Sequence, residues 1–502
     1  MILVVFISCK TVKETKDEEQ TRPNVVIIYA DDMGYGDLNC QNPNSKIPTP
    51  YLDKLASEGM RFTDAHSSSG ICSPSRFALL TGTYHWRNQH EIVKSFGKPF
   101  FKETDITLPQ VLKTAGYTTA CIGKWHLGLD WEFKNPPSLK RKKGRRIIDV
   151  YQSHDIDWSK PVKGGPLDRG FDYYFGDGTI NFPPYAWMEN ERFIEAPTEE
   201  MSSKNTCITK EGKCEFRAGP KLKDWDPYKV LPTLTTTTVG WINNYDKKEP
   251  FFLYFALPSP HAPIIPNDEF EGKSEAGAYG DFMVQTDWVV GQVLNALKEK
   301  GLEDNTIVIF SSDNGPEKYA FKRAEKFDHF SMGDFRGLKR DIWEGGHHVP
   351  FIVKWPKQIK AGTVSNEVIS QVDIMATISS ITKTALPKTA GPDSYDFSSI
   401  LKGKKIKGPL REATVQNTFE DKWALRKGKW LYMNTSDVSH FKVPEFYTKL
   451  KNYTDFKTKG LLFDLEADPE QRVNLYSKYP QQVEQMRKLL STYRTQGYSV
   501  KN

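Results

Sequence analysis

Cysteine is scarce in this chain, with six in 502 residues. They form no C-x-x-C pair and no Cys/His zinc spacing, so the sequence encodes neither a zinc finger nor a dithiol redox motif. No segment reaches the run of about 18 apolar residues that a membrane-crossing helix needs. Charge of one sign is also lacking: 69 Lys+Arg against 63 Asp+Glu leave +6, too little for a dedicated nucleic-acid binder. There is no internal repeat. What the chain has instead is 38% hydrophobic and 13% aromatic content, enough for large cores and incompatible with a disordered, collagenous or coiled-coil protein.

The N-terminus carries an apolar run, 2–7, then Ser8-Cys9 and a polar stretch, 10–20. This is similar to the end of a bacterial lipoprotein signal. It implies a chain lipidated at Cys9 and anchored by that lipid to a membrane outside the cytoplasm: outer membrane, cell surface or periplasm. Cys207 and Cys214 flank a polar loop and can close a small disulfide; Cys40 and Cys121 read as ordinary buried thiols.

Several apolar runs end abruptly in polar residues: 25–29 before Asp31-Asp32, 117–122 before Lys124 and His126, 251–255 before His261, and 307–310 before Asp313-Asn314. Helical patterns over 50–59, 108–116 and 279–301 lie between them. The alternation predicts an α/β fold with a large, mainly parallel sheet covered on both faces, its sites beyond the carboxyl ends of the strands. From about residue 386 short strands (423–426, 429–433, 460–465) and a final helix near 481–493 predict a smaller antiparallel sheet. The division is therefore 1–22 signal and tether, 23–385 catalytic domain and 386–502 C-terminal α+β subdomain. The segments 132–170 and 186–230 read as long insertions around the site.

Asp31, Asp32 and Asp313 with the Asn314 amide oxygen form a hard-oxygen set, suited to Ca²⁺ rather than zinc; turn-forming or capping acids are the plainer alternative. The decisive segment is Cys72-Ser73-Pro74-Ser75-Arg76, continuing to Leu80-Thr81-Gly82. Here the chain resembles the formylglycine-dependent sulfatases of the alkaline-phosphatase superfamily, whose hallmark is C-x-P-S-R followed by L-T-G. The likeness extends to Gly116–Tyr117 through Gly123-Lys124-Trp125-His126, Pro260-His261-Ala262-Pro263, Asp313-Asn314-Gly315, Gly337-Leu338-Lys339 through Gly345-Gly346, and Leu462-Phe463-Asp464-Leu465. One departure is Thr83, where the family often has Arg after L-T-G.

The resemblance implies that a maturation enzyme converts Cys72 to formylglycine (3-oxoalanine), whose hydrate attacks sulfur. It implies Ca²⁺ held by Asp31, Asp32, Asp313, Asn314 and modified Cys72. It assigns Arg76 to fixing the hydrate, Lys124 to sulfate, His126 to the hydrate proton, and His261 and Lys339 to the leaving oxygen and the sulfate. His347 and His348 match no such position and read as structural. The expected reaction is hydrolysis of sulfate esters on a polysaccharide or oligosaccharide, an algal glycan such as ulvan or carrageenan being favoured over a glycosaminoglycan or an aryl sulfate. Six basic residues within 140–146 either form a solvated charge run or draw a polyanion toward the site, and Trp131, Trp158, Trp187 and Trp225 either pack in the interior or stack on sugars. The competing readings are a phosphoester hydrolase of the same superfamily and an inactive polyanion-binding lipoprotein.

Overall fold

The structure, a computed structural model, describes residues 22–143, 146–202, 209–212 and 216–500. Cys9 with the signal-like run before it, Cys207, Cys214 and Arg145 lie outside the described residues, as do the side chains of Lys142, Lys143 and Arg146.

Ten strands form one sheet, in the order Thr363–Ser365, Met60–Phe62, Phe351–Lys354, Thr306–Ser312, Asn24–Ala30, Phe251–Ala256, Thr118–Lys124, Tyr173–Gly178, Met188–Glu189 and Arg192–Phe193. The centre is parallel: Val25 stands in register with Phe252 on one side and Ile307 on the other. Antiparallel pairing enters at Phe351–Lys354 and beyond Tyr173–Gly178. Strand Asn24–Ala30 is buried throughout because alternate residues serve two cores. Val25, Ile27 and Tyr29 pack with Phe77, Leu80 and Met375, whereas Val26, Ile28 and Ala30 pack with Leu234, Phe282 and Val290. This two-sided burial explains the unbroken apolar runs.

The expected helix over 108–116 is shorter, Leu108–Lys113; turns take over and end on Gly116 at φ 81, a left-handed backbone that closes the way to strand Thr118–Lys124. A separate four-stranded antiparallel sheet joins Thr414–Asn417, Trp423–Lys427, Trp430–Met433 and Leu461–Asp464. Helix Pro480–Thr495 lays Val483, Met486, Leu490 and Tyr493 against it. Phe397 and Leu401, ahead of that sheet, insert into the core of the large one. The described part of the basic stretch lies on two strands, Leu139–Lys143 and Arg146–Val150, that pair antiparallel. Among the described residues no helix is long and apolar enough to cross a membrane.

Candidate active site

The acids follow the central strands. Asp31 and Asp32 come after Asn24–Ala30, and Asp313 and Asn314 after Thr306–Ser312. The two ends are laced together: Asp313 N donates to Ala30 O at 3.1 Å and Asp32 N to Asp313 Oδ1 at 3.2 Å. Asp32 has left-handed backbone, φ 62, which a short polar residue tolerates and which lets consecutive carboxylates join one cluster. Ligand atoms of Asp31, Asp32, Asp313 and Cys72 lie within 4.8 Å of one another.

Cys72 is the first residue of helix Cys72–Thr81 and is fully buried, its Sγ donating to Asp31 Oδ1 at 3.5 Å. Burial, then the Asp313 charge, push its thiol well above the ordinary cysteine range, so the unmodified side chain is not a thiolate. Arg76, one helical turn along, forks onto Asp313 Oδ2 from Nε at 3.1 Å and Nη2 at 2.8 Å. Lys124 Nζ pairs with Asp31 Oδ2, and Lys339 Nζ with Asp32 Oδ2 at 2.6 Å. Each buried carboxylate thus has its own buried cation, and the six groups cancel in formal charge.

The acids divide by neighbour. Burial alone would raise Asp32, but the Lys339 ammonium, then His261, hold it well below the usual carboxylate range. Asp313 is pushed up to about 6 by burial and by Asp31, against the pull of Arg76. Asn314 Nδ2 donates to Asp32 Oδ1 at 2.8 Å and to Gly315 O at 2.9 Å, which leaves its Oδ1 buried and without a partner. An orphaned amide oxygen beside three carboxylates fits a hard divalent cation.

His126 and His261 are oriented through backbone carbonyls. His126 Nε2 donates to Val93 O at 3.0 Å, leaving Nδ1 buried and unpartnered. Burial, with Lys124 and Arg76 adding to it, holds this imidazole well below its ordinary range, so it is neutral and able to accept a proton. His261 Nδ1 donates to Ala262 O at 2.5 Å, and its Nε2 stands 3.7 Å from Asp32 Oδ2. Asp31, Asp32, Cys72, Arg76, Lys124, Asp313, Asn314 and Lys339 therefore meet in one buried cluster, His261 stands at its edge 3.7 Å from Asp32, and His126 lies close enough for Lys124, Arg76 and His261 to act on its charge.

One residue escaped the sequence reading. Asp177, buried at 6% exposure at the end of strand Tyr173–Gly178, has both carboxylate oxygens without a partner. Burial pushes it up to about 7. It lines a cavity beside His126 whose walls include Phe96, Trp131, Phe182 and Phe193. The available signal was Gly176-Asp177-Gly178, an acid between glycines at a strand end. Of the tryptophans, Trp131 lines this cavity, whereas Trp187 and Trp225 pack on the core around Phe175 and Tyr185.

Comparison with known proteins agrees with this geometry. Residues 23–384 match the Sulfatase family, and residues 334–496 match the N-sulphoglucosamine sulphohydrolase C-terminal family. A Bacteroides thetaiotaomicron protein named N-acetylgalactosamine-6-O-sulfatase is 32% identical, over 96% of this chain and 95% of its own length. Human Arylsulfatase H is 28% identical, over 90% and 87%. A solved B. thetaiotaomicron structure, described with the metabolism of multiple glycosaminoglycans, is 31% identical with a TM-score of 0.78, over 95% of this chain and 100% of the other. A structure in complex with k-i-k-neocarrahexaose has a TM-score of 0.69 over 96% and 95%, but at 20% identity it shares the fold alone. A chain with these matches and with the C-x-P-S-R segment seated on an acid-lined strand end belongs to the Sulfatase family, and is a sulfuric ester hydrolase of alkaline-phosphatase-like fold.

Proposed function

We propose that this sulfatase removes 6-O-sulfate from N-acetylgalactosamine in glycosaminoglycan-derived oligosaccharides, with Cys72 matured to formylglycine and Ca²⁺ as the metal. The observation that carries the substrate is the 32% identity, along nearly the whole chain, to a relative named for that reaction. The preference for ulvan or carrageenan that the sequence suggested gives way: the neighbour in complex with k-i-k-neocarrahexaose is, at 20% identity, too distant to speak for substrate. The proposal includes export and lipidation at Cys9, and a formylglycine-generating enzyme as maturation partner.

Sulfatases generally use a formylglycine nucleophile and a divalent metal. Asp31, Asp32, Asp313, Asn314 and position 72 would hold the metal, which when bound offsets charge on sulfate oxygens and acidifies the nucleophile. Formylglycine at position 72, once hydrated, would supply one hydroxyl as the nucleophile toward sulfur and a second whose deprotonation would release the sulfate. His126 Nδ1, neutral and free, takes up the hydrate proton. Arg76, Lys124 and Lys339 surround the sulfate with positive charge. His261, held by Ala262 O through Nδ1, delivers a proton from Nε2 to the departing sugar oxygen. Asp177 accepts a hydrogen bond from a hydroxyl of the sugar seated in the aromatic-walled cavity.

The test is sulfate release from chondroitin-type 6-O-sulfated disaccharides against ulvan and carrageenan oligosaccharides, using protein co-expressed with a maturation enzyme. Release from the 6-O-sulfated N-acetylgalactosamine substrate supports the assignment; release from the algal oligosaccharides alone refutes it.

A further inference from the structure

A second cluster of ligating side chains lies apart from the acids just described. His66 ends the short strand Ala65–His66, and Glu344 and His347 are the two ends of helix Glu344–His347. All three are buried, and one ligand atom from each lies within 4.8 Å of the others.

Hydrogen positions follow from the partners. His66 Nε2 lies 2.7 Å from Asp64 Oδ1, and His347 Nε2 lies 3.3 Å from Ile342 O. Both partners only accept, so each Nε2 carries the hydrogen. Arg426 Nη1, 3.4 Å from His66 Nε2, does not change this, because it donates to Asp64 Oδ1 at 2.6 Å. Two Nδ1 lone pairs are left facing each other at 3.1 Å. Glu344 Oε2 is engaged by His348 Nδ1 at 3.2 Å and approached by Arg426 at 3.9 Å, but Glu344 Oε1 is buried with no partner among the described residues.

We infer that His66, His347 and Glu344 form a structural metal site of the zinc class, distinct from the oxygen-rich centre at Asp31, Asp32, Asp313 and Asn314. Two imidazole nitrogens on one tetrahedral zinc stand about 3.3 Å apart, given Zn–N bonds of about 2.0–2.1 Å, close to the spacing found. The outward N–H groups rest on a carboxylate and a backbone carbonyl, the arrangement that orients metal-bound imidazoles. Imidazole ligands favour zinc where the all-oxygen centre favours a harder ion. The bound cation would fasten the segment leading to Cys72, through His66, to the turn that follows Lys339, through Glu344, with Arg426 of the C-terminal sheet bracing both acids.

The test uses full-length, calcium-saturated protein, zinc chloride as the probe, and metal analysis after dialysis. Wild type retains about one zinc per chain, Asp313→Asn retains it too, and His66→Asn and His347→Asn bind it at least about tenfold more weakly. Should those variants misfold, cobalt-substituted wild type decides, because four-coordinate, imidazole-bound Co²⁺ shows visible ligand-field bands far more intense than those of Co²⁺ in an octahedral oxygen site. No zinc retained by wild type would mean that the two nitrogens merely share a proton, and would overturn the site. So would equal retention by His347→Asn, or cobalt without those bands.

Discussion

Arg76 Nη2 lies 2.8 Å from Asp313 Oδ2 and 3.8 Å from Asp31 Oδ2, so one guanidinium, a helical turn after Cys72, serves the ends of two parallel strands. All three side chains are fully buried. Arg76→Ala strands a buried carboxylate, which costs about 3–5 kcal/mol in urea unfolding. Arg76→Lys keeps a charge but not the fork, and should retain most of the stability while kcat falls about 10²–10³-fold. An Arg76→Lys enzyme with unchanged kcat would remove Arg76 from the reaction.

Asp177 gives a pH-dependent prediction with a definite sign. Its folded carboxyl sits near 7, above the ordinary 3.8, so the native state holds a proton that the unfolded chain releases. Stability is therefore lost as pH rises between about 4 and 7, and the loss is complete above that window. Asp177→Asn should unfold at higher urea than wild type at pH 8, by on the order of a few kcal/mol, and equally at pH 4. The same variant should raise KM for the sulfated sugar while leaving hydrolysis of a small aryl sulfate unchanged. A stability difference that is the same at both pH values would contradict the assignment.

His85 predicts the opposite slope. Burial and then His90 push it down to about 3, so the unfolded chain takes up a proton below about pH 6.5 that the native state refuses. Stability is lost as pH falls through that window, by about 1.4 kcal/mol per pH unit from this group. His85→Gln, measured by urea unfolding from pH 6 to 4, should flatten the curve by that amount.

The strand-end acids were legible because unbroken apolar runs mark strands buried on both faces, and polar residues just beyond them lie at the sheet's carboxyl edge. Cys72 and Arg76 were legible through the resemblance of the C-x-P-S-R segment to the sulfatase motif, and one helical turn then fixes their relation locally. Asp177 was not: its importance lies in having no partner, which depends on walls contributed by residues 93–97 and 125–131. Nor was the cluster of His66 with Glu344 and His347, where the contacts join segments about 280 residues apart and no short spacing records them. His347 and His348 read as structural from sequence; the fold gives them different partners, His66 for one and Glu344 for the other.

The exposed Lys140 and Arg141 on the strand Leu139–Lys143 predict a salt effect that depends on substrate size. Going from low to physiological salt shortens the screening length to about 8 Å, so kcat/KM on a sulfated polymer should fall while that on a small aryl sulfate holds. Replacing both residues by Ser should remove the difference. Equal salt responses for polymer and aryl sulfate in the wild type would reduce this strand to a solvated charge run.

The central claim is that position 72, matured within this acid-lined site, cleaves sulfate esters. It is tested most directly by measuring sulfate release from 6-O-sulfated N-acetylgalactosamine by wild type and by Cys72→Ser, both co-expressed with the maturation enzyme and supplied with calcium. Multiple turnover by wild type and none by the serine variant, which can be sulfated but lacks the second hydroxyl, is the predicted result. Sustained turnover by Cys72→Ser, or none by wild type carrying formylglycine by peptide mass, would contradict it.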